Sequence, residues 1–595
     1  MLKDIRFIVS LMFFLCVGFP HGKGQNITWE QGLKSNLSQM TDSLTKNLHP
    51  WNVPSKEYKV EDFGAVADGQ RLNTTSIQKA IDTCSENGGG VVLFSEGDYA
   101  TGTFELKSNV MIEISEKSRI LGSTRLKDYP EKIEKLKSIM SVYYEFRQSL
   151  IYAENAENIG IRGEGEIYFR GEREHFPGPQ TTGKIEGRPL GIRLIQCQNV
   201  TMQNITLKNS AAWMINAVAC EDMIFDGVKI HNHANYNNDG LDPDGCRNII
   251  VRNCFFNTED DAMCLKGGSG KTTENILIEN SRFITTCNAF KIGTDTQGDF
   301  QNILARNLVL GGIPDSLESS AGHQASTGIT LATVDGGNVE NFYIKNITIN
   351  RARCPVFVRI GKRGRVLPSQ EKPAPGYLKN ILIENVKGKE NFTQGSFISG
   401  LSEQPVKNLI LRNYNIKMKG GGTKQMAHAP VTEDEYGYPD AHQFSVNGLP
   451  AYGFYFRHAK NIYFENVNIS TENKDQRPSF ISGGNTYNII VNDSQIENQE
   501  IVVYDYSPQY IKDLTVFSEE SEVKIDSART GGRPFMDRTF IFPELPKILR
   551  GAEYINWKND SKSADKDPLT TFRVSKNGTL YIAHDDRLQK LFWRR

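Results

Sequence analysis

Glu274-Asn275-Ile276-Leu277-Ile278 and Gln301-Asn302-Ile303-Leu304-Ala305 are two copies of one motif, an Asn followed by alternating apolar residues, and this motif decides the fold. Earlier copies are Gln198-Asn199-Val200-Thr201-Met202 and Arg247-Asn248-Ile249-Ile250-Val251, with a degenerate Glu221-Asp222-Met223 between them. Later ones begin at Glu340-Asn341, Lys379-Asn380, Lys407-Asn408, Lys460-Asn461 and Tyr487-Asn488. The leading positions 199, 222, 248, 275 and 302 are spaced by 23 to 27 residues, within the period range of a solenoid. Each unit holds short alternating runs broken by Asn or Gly, and none is long enough for a helix. Asn suits a left-handed turn, and its amide can form a ladder with the equivalent Asn of the next coil. The expectation is an all-β, right-handed parallel β-helix whose strands stack about 4.8 Å apart. A β-propeller is the competitor, but its blades need about 40–50 residues.

Working outward, the steps from Asn302 to Asn341, Asn341 to Asn380 and Asn408 to Asn461 exceed one coil. They bracket insertions at 311–327, 361–376 and 417–452, rich in Gly, Pro, Ser and His, which are expected to wall a cleft on one face. The stretch 76–86, containing Ser76-Ile77-Gln78-Lys79-Ala80-Ile81, reads as a helix capping the N-terminal end of the stack. Beyond about residue 511 the repeat is lost. Thr571-Phe572-Arg573-Val574 and Thr579-Leu580-Tyr581-Ile582 read as strands joined by a Lys576-Asn577-Gly578 turn. The organisation expected is a signal peptide over 1–24, a lead segment over 25–56, the solenoid over 57–510 and a small C-terminal β extension or cap over 511–595.

At 595 residues the chain exceeds one compact domain unless it grows by adding coils. Its 69 basic and 70 acidic side chains leave a net charge of −1, which gives no global field for nucleic acid or membrane. Lys3 and Arg6 before the apolar run Phe7–Phe19 read as an export signal, too short to span a bilayer comfortably. A retained anchor is the alternative. Of the 9 cysteines, Cys16 lies in that signal, and no pair has Cys-x-x-Cys spacing. Cys197, Cys220 and Cys246 each precede a repeat unit and are expected to stack as a buried, unpaired ladder.

Two acidic clusters interrupt this framework: Asn237-Asn238-Asp239-Gly240-Leu241-Asp242 and Asp260-Asp261. One coil apart, they bring three carboxylates into one patch, as acid/base cleavage of a glycosidic bond requires. Polar turn residues are the plain reading. A calcium site using Asp242 and Asp244 is another, and would suit a lyase. His231 and His233 lie just upstream and serve either the site or packing. Gly267-Gly268-Ser269-Gly270-Lys271 looks like a phosphate loop only superficially, since no helix follows.

Phe63-Gly64-Ala65-Val66-Ala67-Asp68-Gly69, Gly88-Gly89-Gly90-Val91-Val92-Leu93-Phe94 and Gly102 to Val110 resemble the opening of pectin-active β-helix enzymes. Asn237-x-Asp239 and Asp260-Asp261 resemble the catalytic signatures of glycoside hydrolase family 28, the polygalacturonase family, and the likeness runs from about 57 to about 500. It implies a right-handed parallel β-helix and inverting hydrolysis without metal or cofactor. By position, Asp260 resembles the general acid, and Asp239 with Asp261 the pair that orients and activates water. Two family elements are absent. Cys287-Asn288-Ala289 stands where the family has Gly-His-Gly, and Thr330-Leu331-Ala332 where it has the uronate-gripping Arg-x-Lys.

The expected function is therefore an exported, monomeric, inverting glycoside hydrolase acting on galacturonan or rhamnogalacturonan-like linkages. Asn237, Asp242, Lys266, Asn288, Lys291 and Arg359 are the expected substrate-binding residues, with Lys362, Arg457 and His458 as further polar candidates. Trp213, Tyr236 and Tyr452 are candidate sugar-stacking rings. The alternatives are a silent glycan-binding β-helix and a calcium-dependent polysaccharide lyase.

Overall fold

The computed structural model describes residues 28–144, 146–178, 187–368, 370–429, 431–444 and 448–492, and four short strands beyond residue 510. The expected signal peptide lies outside the described residues. From Glu57 to Asn492 the chain winds as a parallel β-helix, with every strand paired in parallel to its equivalent one coil away. A 20-stranded sheet wraps the faces that begin at the Asn-led strands. A 12-stranded sheet closes the coil, and it carries the site. Its strands are β1 (Phe104–Glu105), β2 (Ser149–Glu154), β3 (Leu190–Ile195), β4 (Ile215–Val218), β5 (Leu241–Asp244) and β6 (Met263–Leu265). They continue as β7 (Asn288–Ile292), β8 (Ala325–Thr333), β9 (Ala352–Ile360), β10 (Ser396–Ser399), β11 (Phe454–Arg457) and β12 (Phe480–Ser482).

The repeat motif explains the winding. All ten leading positions, from Asn199 to Asn488, have φ between 54° and 62°, the left-handed turn that Asn tolerates best among non-Gly residues. Each amide donates to the one below it, as Asn408 Nδ2 does to Asn380 Oδ1 at 3.0 Å and Asn461 to Asn408 at 2.9 Å. A second ladder follows the next Asn of the motif, with Asn346 donating to Asn307 and Asn385 to Asn346, both at 3.0 Å. The flanking apolar residues, such as Ile276 and Ile278, face inward and are fully buried in one continuous core. The cysteines stack as expected. The backbone N–H of Cys197 donates to Cys220 Sγ, and that of Cys220 to Cys246 Sγ, with all three thiols free.

Helix α2 (Thr74–Glu86) buries Ile77, Ala80, Ile81 and Cys84 on that core at its first coils, as the sequence predicts. Helix α1 (Thr28–Asn47) occupies the lead segment, where no element was expected. Its Leu33, Leu37 and Leu44 share one face and cover Ile250, Leu277, Leu304, Leu382 and Ile410, which point outward from successive coils. Glu30 locks it in place against Arg412 at 2.9 Å, and that guanidinium pulls the carboxyl down to about 2. In the C-terminal region, the strand Thr570–Val574 pairs antiparallel with Ile511–Val516; the other expected hairpin strand, 579–582, lies outside the described residues.

Candidate active site

The middle strands of the 12-stranded sheet alternate strictly. Leu241, Met263 and Phe290 face the core, so Asp242, Cys264 and Lys291 face outward in register, between Asn216 on one side and Thr330 on the other. One pleat further along, Lys266 stands beside Asp244. Ahead of β5, the turn at Asn237 takes φ 53° and turns Asp239 onto the same face. The next coil comes close there because Gly240 has no side chain. A Cβ at 240 would lie 2.3 Å from the carbonyl of Ala262, and the Gly240 N–H instead donates to Asp261 O at 2.8 Å. Asp260 and Asp261 sit in the bend between the strand Phe255–Thr258 and β6, so strand alternation does not force them apart. The Asp261 N–H donates to Asp260 Oδ1 at 3.0 Å, fixing their relative pose.

The two neighbours then face different charges. Asp261 accepts from Asn288 Nδ2 at 2.6 Å and pairs with Lys291 at 2.9 Å. Burial opposes its ionisation, but Lys291, Lys266 and the Asn288 amide outweigh it and hold this carboxyl below its ordinary range. Asp260 is only half-buried, and it faces the amide of Asn237 at 3.3 Å and the Cys287 thiol. Burial and the Asp261 charge push it up. Asn237 is itself aligned by Arg188, which donates to its Oδ1 at 3.0 Å and to Tyr236 O at 2.6 Å.

Lys266 lies between Asp242 (3.4 Å) and Asp239 (3.8 Å), with its ammonium 4.2 Å from the centre of the Trp213 ring. One cation serves two carboxylates that are 0% and 3% exposed. Burial first, then Lys266 and Asp261 acting in opposite senses, leave Asp242 at about 7; burial and Asp242 push Asp239 well above the usual range. The pair therefore keeps a proton at neutral pH. Asp239 Oδ1 is buried and accepts no hydrogen bond from a described residue.

Eight of the nine expected site residues, Asp239, Asp260, Asp261, Asn237, Asp242, Lys266, Asn288 and Lys291, lie in this one patch. Arg359 does not. It is 1% exposed on β9 and its guanidinium holds the last insertion, donating to Ser399 Oγ (2.9 Å) and to the carbonyls of Glu433 (2.8 Å) and Asp434 (3.2 Å). Arg457 does the same for Val431, Lys362 pairs with Glu403 and Glu435, and His458 faces Glu433. Tyr452 is buried in the solenoid core and cannot stack on a sugar, and Arg173 covers the ring of Tyr236 at 3.7 Å. His233 is a wall residue, bonded to Asn257 at 2.9 Å and held neutral by burial at about 4. Sequence reasoning missed Arg188, Asp440 (3.4 Å from Lys291) and Tyr438, whose ring centre is 5.8 Å from Lys291. The latter two arrive on the 417–452 insertion, whose length was the available signal.

The loop of the alternative calcium reading is a strand, in which Asp242 faces Lys266 while Asp244 accepts the Ser269 N–H at 2.8 Å. The described side chains that could meet on a metal are Asp260, Asp261 and Cys287, with ligand atoms within 4.8 Å of one another. A thiol is the wrong donor for calcium, and Lys291 already supplies the positive charge on Asp261. The patch thus combines a half-buried carboxyl pushed up from its ordinary range, a neighbouring carboxylate held below it and a buried acceptor without a described donor, on a rigid floor.

Residues 107–435, more than half of the chain, match the family model described as Glycosyl hydrolases family 28. A probable polygalacturonase of Vitis vinifera is 26% identical over 387 residues, 61% of this chain and 74% of the relative. An exo-poly-alpha-D-galacturonosidase of Dickeya chrysanthemi is 24% identical over 437 residues, 64% of this chain and 70% of the relative. Among solved structures, an exopolygalacturonase from Thermotoga maritima superposes with a TM-score of 0.55 at 20% identity, covering 73% of this chain and 96% of that one, which shows a shared fold.

Proposed function

The chain belongs to glycosyl hydrolase family 28, and from its site we propose an exported enzyme that cleaves a pectin-type polysaccharide with inversion, Asp260 giving the proton, Asp261 taking one from water and Asp239 helping to orient that water. The observation that carries this is the split between adjacent carboxyls: Lys291 and Asn288 hold Asp261 below its ordinary range, whereas Asp260 faces no cation at ion-pair distance among the described residues and is pushed up by burial and the Asp261 charge. Shifts in opposite directions suit one carboxyl to act as general acid and its neighbour as general base. As the glycosidic C–O bond breaks, the Asp260 proton moves to the leaving oxygen. Water attacks the opposite face of the sugar and loses a proton to Asp261. Asp239, whose buried Oδ1 accepts no hydrogen bond from a described residue, is assigned to orient that water. Inversion requires about 6.5–9.5 Å between acid and base.

The sugar next to the cleaved bond is read from what replaces the family's Arg-x-Lys. Thr330 is bonded to Thr327 at 2.6 Å, Leu331 faces the core and Ala332 is buried, so no charge is offered there. Lys266 and Lys291 are already engaged with carboxylates. This supports a neutral neighbour sugar, as in rhamnogalacturonan-like linkages, beside or instead of plain galacturonan. Export rests on the N-terminal charge and apolar pattern; no described helix is long and apolar enough to cross a membrane. The chain is taken to act as a monomer.

The test is digestion of polygalacturonate and of rhamnogalacturonan, with the anomeric proton of the fresh product followed by NMR. Inverted product from either polymer supports the reading. Retained product overturns the assigned mechanism, and unsaturated product absorbing in the ultraviolet selects a lyase instead.

A further inference from the structure

We infer that the site is a pocket closed on all sides, so that the enzyme works at the end of a glycan chain and not within it. This rests on the hydrolase reading above. To cut within a chain, sugars must continue past the cleaved bond in both directions along the outer face of the sheet. Toward the C-terminal coils that face is blocked from β9 on. Phe357, Phe397 and Tyr455, which point outward there, are buried under Phe444 and Leu449 of the 417–452 insertion. Arg359 and Arg457 bind the backbone of 431–434 down onto the same coils. Toward the N-terminal coils, the outward Arg193 on β3 is sealed by Glu134 at 2.6 Å, both side chains being 3–4% exposed. The stretch of floor left between these two covers therefore runs only from β4 to β8, four strand spacings or about 19 Å.

The flanks are closed as well. The strap carrying Glu134 bonds Ile139 N–H to Gly268 O at 2.9 Å, and Tyr143 and Tyr144 reach Val366 O and Arg365 of the 361–376 insertion at 2.6 and 2.8 Å. Opposite, Ser320 and Glu318 of the 311–327 insertion meet His233 and Asn257. Substrate is left with entry from above, past the exposed ring of Tyr438.

Polygalacturonate and rhamnogalacturonan are digested with the full-length protein while viscosity and product sizes are followed together. Chain-end action gives one product size from the first minutes, with viscosity falling only as sugar is released. A spread of oligomers, with viscosity lost while few bonds are cut, overturns the closed pocket but leaves the hydrolase reading standing. No new reducing ends from either polymer overturns both. A folded variant with 432–440 replaced by a short Gly-Ser linker is expected to gain mid-chain products. If it keeps the single product size, the insertion is not the wall and the inference fails.

Discussion

Asp260 and Asp261 are adjacent in the chain, yet burial and its neighbour's charge push Asp260 up while the Lys291 ammonium holds Asp261 down. Lys291→Met removes the ammonium. Asp261 then titrates higher, so the acid limb of the kcat–pH profile moves to higher pH. The change also leaves the buried Asp261 without its ion-pair partner, at a cost of about 3–5 kcal/mol at pH 7. Protonation relieves that strain, so the melting temperature of the variant recovers toward wild type as pH falls to 4; a constant deficit would contradict the charge argument. Asp242 behaves in the opposite sense. Its folded pKa of about 7 lies above the unfolded value near 3.8, so its stability contribution is full below 3.8 and lost as pH rises through 7. Asp242→Asn is therefore expected to melt higher than wild type at pH 8, by on the order of 2 kcal/mol, and to lose that advantage at pH 4. A pH-independent difference would show that Lys266 keeps Asp242 ionised throughout.

At the scale of elements, the Asn ladder and the insertions were legible in the sequence and the covering pieces were not. The ladder was legible because left-handed turns select Asn at a fixed interval, and the insertions because they break that interval. Asn341→Ala, which loses an amide bond to Asn302 and keeps a strained φ of 62°, is expected to cost about 1–3 kcal/mol in thermal unfolding, and Asn341→Gly less. Equal losses would mean the backbone angle is not the cause. Helix α1 was missed although its signal was present. The residue between the two inward apolar positions is itself apolar in coil after coil, at Ile224, Ile250, Leu277, Leu304, Leu382 and Ile410, and such an outward stripe must be covered. Leu37→Ala, fully buried on that stripe, should cost about 2–5 kcal/mol; a cost near zero would undock α1 from the account. Arg359 was misread for a related reason. An outward cation on a strand looks free until the distant segment that covers it is known, here Glu433 and Asp434.

For the molecule as a whole, the repeat supplies a rigid floor and the insertions supply walls, so chemistry and access come from different parts of the chain. The floor residues could be named from sequence because register carries them to one face, one coil at a time. Arg188 and Asp440 could not, since each reaches the patch from a segment without periodicity. The most direct test of the account is release of reducing ends from pectic polymers by the wild-type chain and by Asp260→Asn at equal folded fraction. The account predicts a rate about 10²–10⁴-fold lower for the variant with an unchanged melting profile near pH 5. Wild-type rates in the folded variant would contradict it, because the proton would then come from elsewhere.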